Sequence, residues 1–192
     1  MGTRQTNRVK IYSLANEMRG IITAEMALNA GVPLVEMRKL VQRGAIERVA
    51  RNLYRVPFAP VDRYSDALEK VLAVGKHAYV SGRSVIQLLD LGLFNPNKLI
   101  ITTTVKPRHS IPSGVHLQVV PASEAPEIVR YYDVPCEPVF NAIDSLIGRA
   151  IRERLFDAID QAHEEGFLTD SEAKALRRSV KNHVATPIDL AT

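Results

Sequence analysis

Residues 43–57 read RGAIERVARNLYRVP, and this stretch decides how the first part of the chain folds. Two short segments that mix apolar and basic residues, AIERV and NLYRV, flank the tripeptide Ala50-Arg51-Asn52, which is a pattern typical of a tight β-hairpin. Four arginines fall within the first thirteen of these positions: Arg43, Arg48, Arg51 and Arg55. Such a hairpin is either a solvated surface element or a surface that meets a polyanion.

Three short helices are predicted before this hairpin. Apolar residues at helical spacing within residues 9–19 predict the first helix. Thr23 is a good N-cap for a second helix, and Gly31 is its expected end. Pro33 suits the first turn of a third helix, and Gly44 suits the position just after it. Three helices followed by a two-stranded ribbon are the order of a winged helix-turn-helix.

In this interpretation the third helix enters the major groove of DNA, and the hairpin is the wing. Arginine and lysine pair with guanine edges, glutamine pairs with adenine, and wing cations neutralise backbone phosphates. The residues predicted to bind DNA are the outward cations and amide of these two elements: Arg38, Lys39, Gln42, Arg43, Arg48, Arg51 and Arg55. The alternative is a solvated hairpin that only closes a three-helix core.

The charge is unevenly placed along the chain. Residues 1–60 contain ten Lys/Arg and four Asp/Glu, a net charge of 10 − 4 = +6, whereas residues 61–192 contain fifteen and seventeen, a net charge of 15 − 17 = −2. A basic N-terminal part followed by a mildly acidic remainder suggests that only the N-terminal part binds a polyanion. No apolar run approaches the roughly 20 residues that span a bilayer, and the lone Cys136 fits a reducing compartment. We therefore expect a cytoplasmic protein that does not bind membranes.

The fold class predicted for the whole chain is α+β, with an N-terminal winged helix-turn-helix followed by a mixed α+β domain that has a small sheet and a helical C-terminal part. The expected divisions are a DNA-binding domain at 1–57, a proline-containing linker at 58–64, an α+β domain at 65–185 and a tail at 186–192. The clearest strand is KLIITTTV at 98–105, and Thr169 to Glu172 form a capping box that opens the last helix.

Enzymatic signatures mostly fail, so we predict no catalytic residues, no cofactor and no metal site. The turn at Ser81-Gly82 resembles the start of a nucleotidyltransferase site, but no acidic pair follows it on a strand. The E-x-K at Glu172 lies behind a helix cap, where a solvated face is the simpler interpretation. A second set of cations is either the wet face of the C-terminal helices or a basic surface for a partner: Arg149, Arg152, Arg154, Arg177, Arg178 and Lys181.

These motifs resemble the AbiEi-type antitoxins of abortive-infection (type IV) toxin–antitoxin systems, over roughly residues 18–180. The family pattern "aG…l.rLv.rG.l.Rv.rGvYr.p" is filled by Gly31, Leu40, Val41, Arg43, Gly44, Ile46, Arg48, Val49, Arg51, Tyr54 and Arg55. The segment from Tyr79 to Ser84 is similar to the family's "iSg.sAL" motif. Three positions depart from the pattern, since Asn52 replaces a wing glycine, Pro33 a Ser-type cap and Val85 an alanine. The segment VFNAID also lacks the family's Glu-Arg-Thr run.

The resemblance implies a transcriptional autorepressor that binds inverted repeats in its own promoter, with self-association on the double-stranded DNA. It also implies an antitoxin that counteracts a cognate nucleotidyltransferase-like toxin, directly or indirectly. The residues alone leave a second function open, that of a winged-helix regulator whose C-terminal domain senses a ligand or dimerises. They also leave open an enzyme, a nucleotidyltransferase or nuclease, with a winged-helix adaptor.

Overall fold

Residues 6–94 and 97–183 are described by the structure, a computed structural model, and they divide into two units. The first unit ends at Lys76 and the second begins at His77. The tail expected at 186–192 lies outside the described residues.

The first unit has helices and strands in the order α-β-α-α-β-β-α. They are α1 (Asn7–Glu17), β1 (Ile21–Thr23), α2 (Ala24–Asn29), α3 (Leu34–Gln42), β2 (Glu47–Ala50), β3 (Leu53–Arg55) and α4 (Arg63–Val74). The strands form an antiparallel sheet in the order β1-β3-β2. The prediction of a winged helix-turn-helix is therefore confirmed, with β1 added, a strand of only three residues that the pattern did not reveal.

Local caps set the ends of α2 and α3. The Thr23 hydroxyl accepts a hydrogen bond from the Met26 amide at 3.1 Å, which satisfies a free N–H at the start of α2. Gly31 and Gly44 adopt positive φ angles of 74° and 67° just beyond α2 and α3. Pro33 is the N-cap of α3 rather than part of its first turn.

The core of the first unit lies between its helices and the sheet. Met37 of α3 is 0% exposed and packs in one cluster with Ile11 of α1, Ile22 of β1 and Tyr54 of β3. Burial of such apolar surface is the main force that holds α3 against the other helices and the wing.

Helix α4 belongs to the first unit, although the sequence pattern placed residues from 65 onward in the second domain and a linker at 58–64. Its N-terminus is capped by Asp62, whose carboxylate accepts the Ser65 amide at 2.7 Å. The apolar face of α4, with Leu68 and Val71 buried, contacts β1 and β3. The prolines before it suggest a linker, but this buried face holds the helix to the wing sheet.

The second unit is a mixed sheet with helices. Its elements are β4 (Ala78–Val80), α5 (Arg83–Leu88), β5 (Leu99–Thr103), β6 (Val115–Val119), a 3₁₀ turn (Ala122–Glu124), β7 (Val129–Tyr131), β8 (Val134–Cys136), α6 (Val139–Asp144), α7 (Arg152–Glu164) and α8 (Asp170–Asn182). The strand order is β6-β5-β4-β8-β7, with β5–β6 and β4–β8 parallel and the other two pairs antiparallel. The predicted α+β class is confirmed for the described residues.

Two turns in this unit are informative. Gly148, with φ of 80°, lies in the connection between α6 and α7. Residues 129–136 form the β7–β8 hairpin, whose turn residues Tyr132 and Asp133 both have positive φ. The Thr169 capping box is present, because its hydroxyl accepts the Glu172 amide while the Glu172 carboxylate accepts the Thr169 amide.

Replacement of Met37 by alanine tests the core of the first unit. We expect Met37→Ala to lower its free energy of unfolding by about 2–5 kcal/mol, because it removes a fully buried side chain and leaves a cavity. The matched control is Val35→Ala on the same helix, where the side chain is 53% exposed and a change within about 0.5 kcal/mol is expected. Urea denaturation of the full chain measures both, and equal effects would contradict this packing.

Candidate nucleic-acid interface

The solvent face of α3 is fixed by its buried face. Met37 and Leu40 are buried, and a helix repeats every 3.6 residues. The residues on the opposite side, at spacings of three and four, therefore form an exposed stripe: Val35, Arg38, Lys39 and Gln42. Three of these were predicted to bind DNA. The apolar Val35 was not, although its spacing places it on the same stripe.

One carboxylate lies beside this stripe. Lys39 Nζ is 2.7 Å from Glu36 Oε1, and this hydrogen bond lowers the pKa of Glu36. The glutamate therefore stays ionised near neutral pH and repels a phosphate placed beside it. Half of the Lys39 side chain is exposed, so DNA can compete with Glu36 for the lysine ammonium.

The wing is a short hairpin with Arg51 and Asn52 at its tip. Asn52 has φ of 59°, the left-handed conformation that asparagine accepts in place of the usual glycine. The Asn52 carbonyl accepts the Ala24 amide at 2.8 Å, which ties the tip of the wing to the start of α2. Arg51 projects from this fixed turn into solvent, while Arg48 donates to the Ala50 carbonyl at 3.4 Å.

Arg55 differs from the other predicted DNA-binding residues. Its guanidinium lies 3.4 Å from the Glu47 carboxylate of β2 and 3.2 Å from the Glu69 carboxylate of α4. Only a third of its side chain is exposed. These contacts make Arg55 a link between the wing and α4, and they leave it less available for a phosphate.

Other cations of this unit are free to meet an anion. Arg38, Arg43 and Arg51 are exposed, and none of them forms a salt bridge with a residue in the part of the chain that the structure describes. Together with Lys39 and Arg48 they put five exposed cations on α3, at its C-terminal end and on the wing.

The second set of predicted cations lies in the other unit and is divided there. Arg149 and Arg154 line a cavity, whereas Arg177 is bound to Asp160 at 2.6 Å. Arg152 donates to the Lys181 carbonyl at 3.5 Å. These contacts favour different roles for the members of the set.

Neither a metal centre nor a reactive thiol is evident in the described chain. Within residues 6–94 and 97–183, no three histidine, cysteine, aspartate or glutamate side chains group closely enough to hold a metal ion. Cys136 is fully buried, and burial raises its pKa to about 12, so the thiol stays protonated. No described helix is both long and apolar enough to cross a membrane.

Comparisons with known proteins find a family model that matches the N-terminal part of the chain. Residues 10–57 match the model of a family described as "Transcriptional regulator, AbiEi antitoxin". Curated protein sequences give no match. Among solved structures the chain is similar to the crystal structure of the RV2827C protein from Mycobacterium tuberculosis, with 15% identity, a TM-score of 0.42, and coverage of 95% of this chain and 85% of that one. Residues 10–57, which hold most of α1 and all of α2, α3 and the wing, are therefore the part of the chain that is similar to the family of transcriptional regulators described as AbiEi antitoxins.

Proposed function

We propose that the chain is a cytoplasmic DNA-binding autorepressor and an antitoxin against a cognate nucleotidyltransferase-like toxin, without catalytic activity of its own. The observation that carries DNA binding is the exposed stripe of α3, whose residues stand on the helix that a winged helix-turn-helix inserts into the major groove. The family of residues 10–57, described as transcriptional regulators, supports the same function.

The stripe offers two kinds of contact with an operator, hydrogen bonds to base edges and apolar contact with a base methyl group. Arg38 and Gln42 carry side chains that form bidentate hydrogen bonds with guanine and adenine edges, respectively. Val35 adds an apolar surface at 53% exposure, which suits the methyl group of thymine. These contacts give sequence preference, and the operator we propose is an inverted repeat in the chain's own promoter, bound by more than one copy.

The flanking cations supply affinity that does not depend on base sequence. Arg43 lies at the end of α3, and Arg48 and Arg51 lie on the wing. Each phosphate that they neutralise releases counterions, so binding weakens as salt is raised. Arg55 contributes indirectly, because its contacts with Glu47 and Glu69 hold the wing.

Removal of Lys39 tests the role of the α3 face, and the chain offers a closely matched control. Lys39→Ala should weaken binding to the DNA upstream of the gene by about fivefold or more, a loss of roughly 1 kcal/mol. Lys70 bonds a carboxylate of its own helix in the same way, at 2.6 Å from Asp66, but lies on α4. Lys70→Ala removes the same charge and should leave affinity within about twofold. Fluorescence anisotropy measures both, and equal losses would contradict a specific role for α3.

Removal of Arg51 tests the wing. In Arg51→Ala the plot of log affinity against log salt concentration should become less steep by about one, because one phosphate contact is lost. The loss should be similar on upstream and scrambled DNA, since a phosphate contact carries no base information. An unchanged slope would show that the tip of the wing does not contact DNA.

The antitoxin half of the proposal is supported by the family description of residues 10–57 and by the likeness of later segments to the same family. Its test is co-expression of the full chain with the nucleotidyltransferase-like product of the neighbouring gene, under an unrelated promoter. We expect the wild-type chain and Arg51→Ala to restore growth equally, because neutralisation then needs no operator binding. Failure of both variants would overturn the antitoxin assignment while leaving the DNA-binding assignment intact.

A further inference from the structure

The second unit contains a large polar cavity that the proposed DNA and toxin interactions do not explain. Its volume is about 740 Å³, within the range of small-molecule sites. Its lining comes from β4 and β5, from the turn before α5, from the segment after β8, and from α7 and the connection before it. We infer that this cavity binds a phosphate-bearing ligand of about mononucleotide size.

Two hydroxyl groups line the cavity, one from Ser81 directly after β4 and one from Thr102 on the neighbouring strand β5. Ser81 Oγ lies 2.7 Å from Thr102 Oγ1, and Thr102 Oγ1 lies 3.3 Å from Gln118 Oε1. Ser81 and Thr102 are only 5% and 3% exposed, so their hydroxyls are held in fixed positions by the sheet. A connected row of polar groups under a cavity is suited to hydrogen bonds with a polar ligand.

Three guanidinium groups converge on the same cavity. Arg83 comes from α5, Arg149 from the connection between α6 and α7, and Arg154 from α7. All three are exposed, and none forms a salt bridge with another described residue. Arginines gathered in this way repel one another unless an anion joins them, and their planar donors match the oxygens of phosphate.

Two carboxylates also line the cavity, so its charged side chains sum to 3 − 2 = +1. Glu124 belongs to an exposed 3₁₀ turn. Glu137 is more enclosed, accepts a hydrogen bond from the Gly82 amide, and has a pKa raised by burial. A carboxylate in this position accepts N–H donors, and it disfavours a ligand that is anionic throughout.

Several of the other lining residues are apolar. Phe94, Ile100, Leu146 and Ile151 contribute a surface against which a flat ring can pack. A nucleotide matches all three kinds of lining group. Its phosphate would bind the arginines, its base N–H groups would donate to Glu137, and its ring would pack on the apolar side chains. Inorganic phosphate would fill little of the cavity and would offer no N–H group to Glu137.

Isothermal titration of the full chain with AMP, GMP, CMP and UMP tests this assignment. At least one nucleotide should bind more tightly than inorganic phosphate or citrate. Arg149→Ala and Arg154→Ala should each weaken that binding by about tenfold, because each removes charge-assisted hydrogen bonds to the phosphate. The matched control is Arg178→Ala, an exposed arginine of α8 outside the cavity, which should change affinity by less than about twofold.

Since the three lining arginines are exposed, their replacement leaves the core intact, and circular dichroism of each variant checks this. Glu137→Gln provides a second readout. It should strengthen the binding of inorganic phosphate by removing a negative charge, and it should reduce the differences among the four nucleotides. The assignment is overturned if no nucleotide binds at about 1 mM, if Arg178→Ala weakens binding as much as the lining variants, or if phosphate alone binds as tightly as every nucleotide.

Discussion

The burial of one face of α3 is the constraint on which the proposed function depends. Met37 and Leu40 are held in the core with residues of α1, β1 and β3, so the helix cannot rotate without exposing them. Because the helical repeat is fixed, the residues on the other side must point to solvent, and these carry the charge and hydrogen-bonding groups. Apolar packing inside the unit thus determines which side chains α3 presents to solvent, and these are the ones that we propose contact DNA. Side chains on a packed helix are held more precisely than side chains on a loop, which favours an accurate fit to base edges.

The wing depends on a second constraint, the central position of β3 between β1 and β2. Pairing on both edges leaves β3 no freedom to shift, and the bond between Ala24 and Asn52 holds the turn in place. The arginines around this sheet therefore have different roles. Arg55 is drawn into contacts with Glu47 and Glu69, whereas Arg51 stays exposed on the turn. A count of charges treats Arg51 and Arg55 as equivalent, but their contacts show that they are not.

Much of the first unit was predictable, because its signals are local. Thr23, Gly31 and Gly44 mark helix ends by their own chemistry, and the hairpin follows from alternation around Asn52. The placement of α4 instead depends on distant contacts. Helix α4 follows two prolines that suggest a linker, and only its packing on β1 and β3 assigns it to the first unit. No glycine marks the β7–β8 turn in the sequence, because Tyr132 and Asp133 adopt the positive φ angles. The cavity joins residues as far apart as Tyr79 and Arg154, which no short motif connects.

Hydrogen exchange of the full chain, with and without a duplex of the DNA upstream of its gene, tests the DNA-binding surface most directly. Exchange of the amide hydrogens near the contact slows when DNA covers them, so the measurement locates the surface without any substitution. We predict slower exchange in peptides that contain α3 and the β2–β3 hairpin, with little change across residues 77–183. Protection confined to residues 77–183, or none anywhere at saturating DNA, would contradict the assignment of α3 and the wing as the surface that binds the operator.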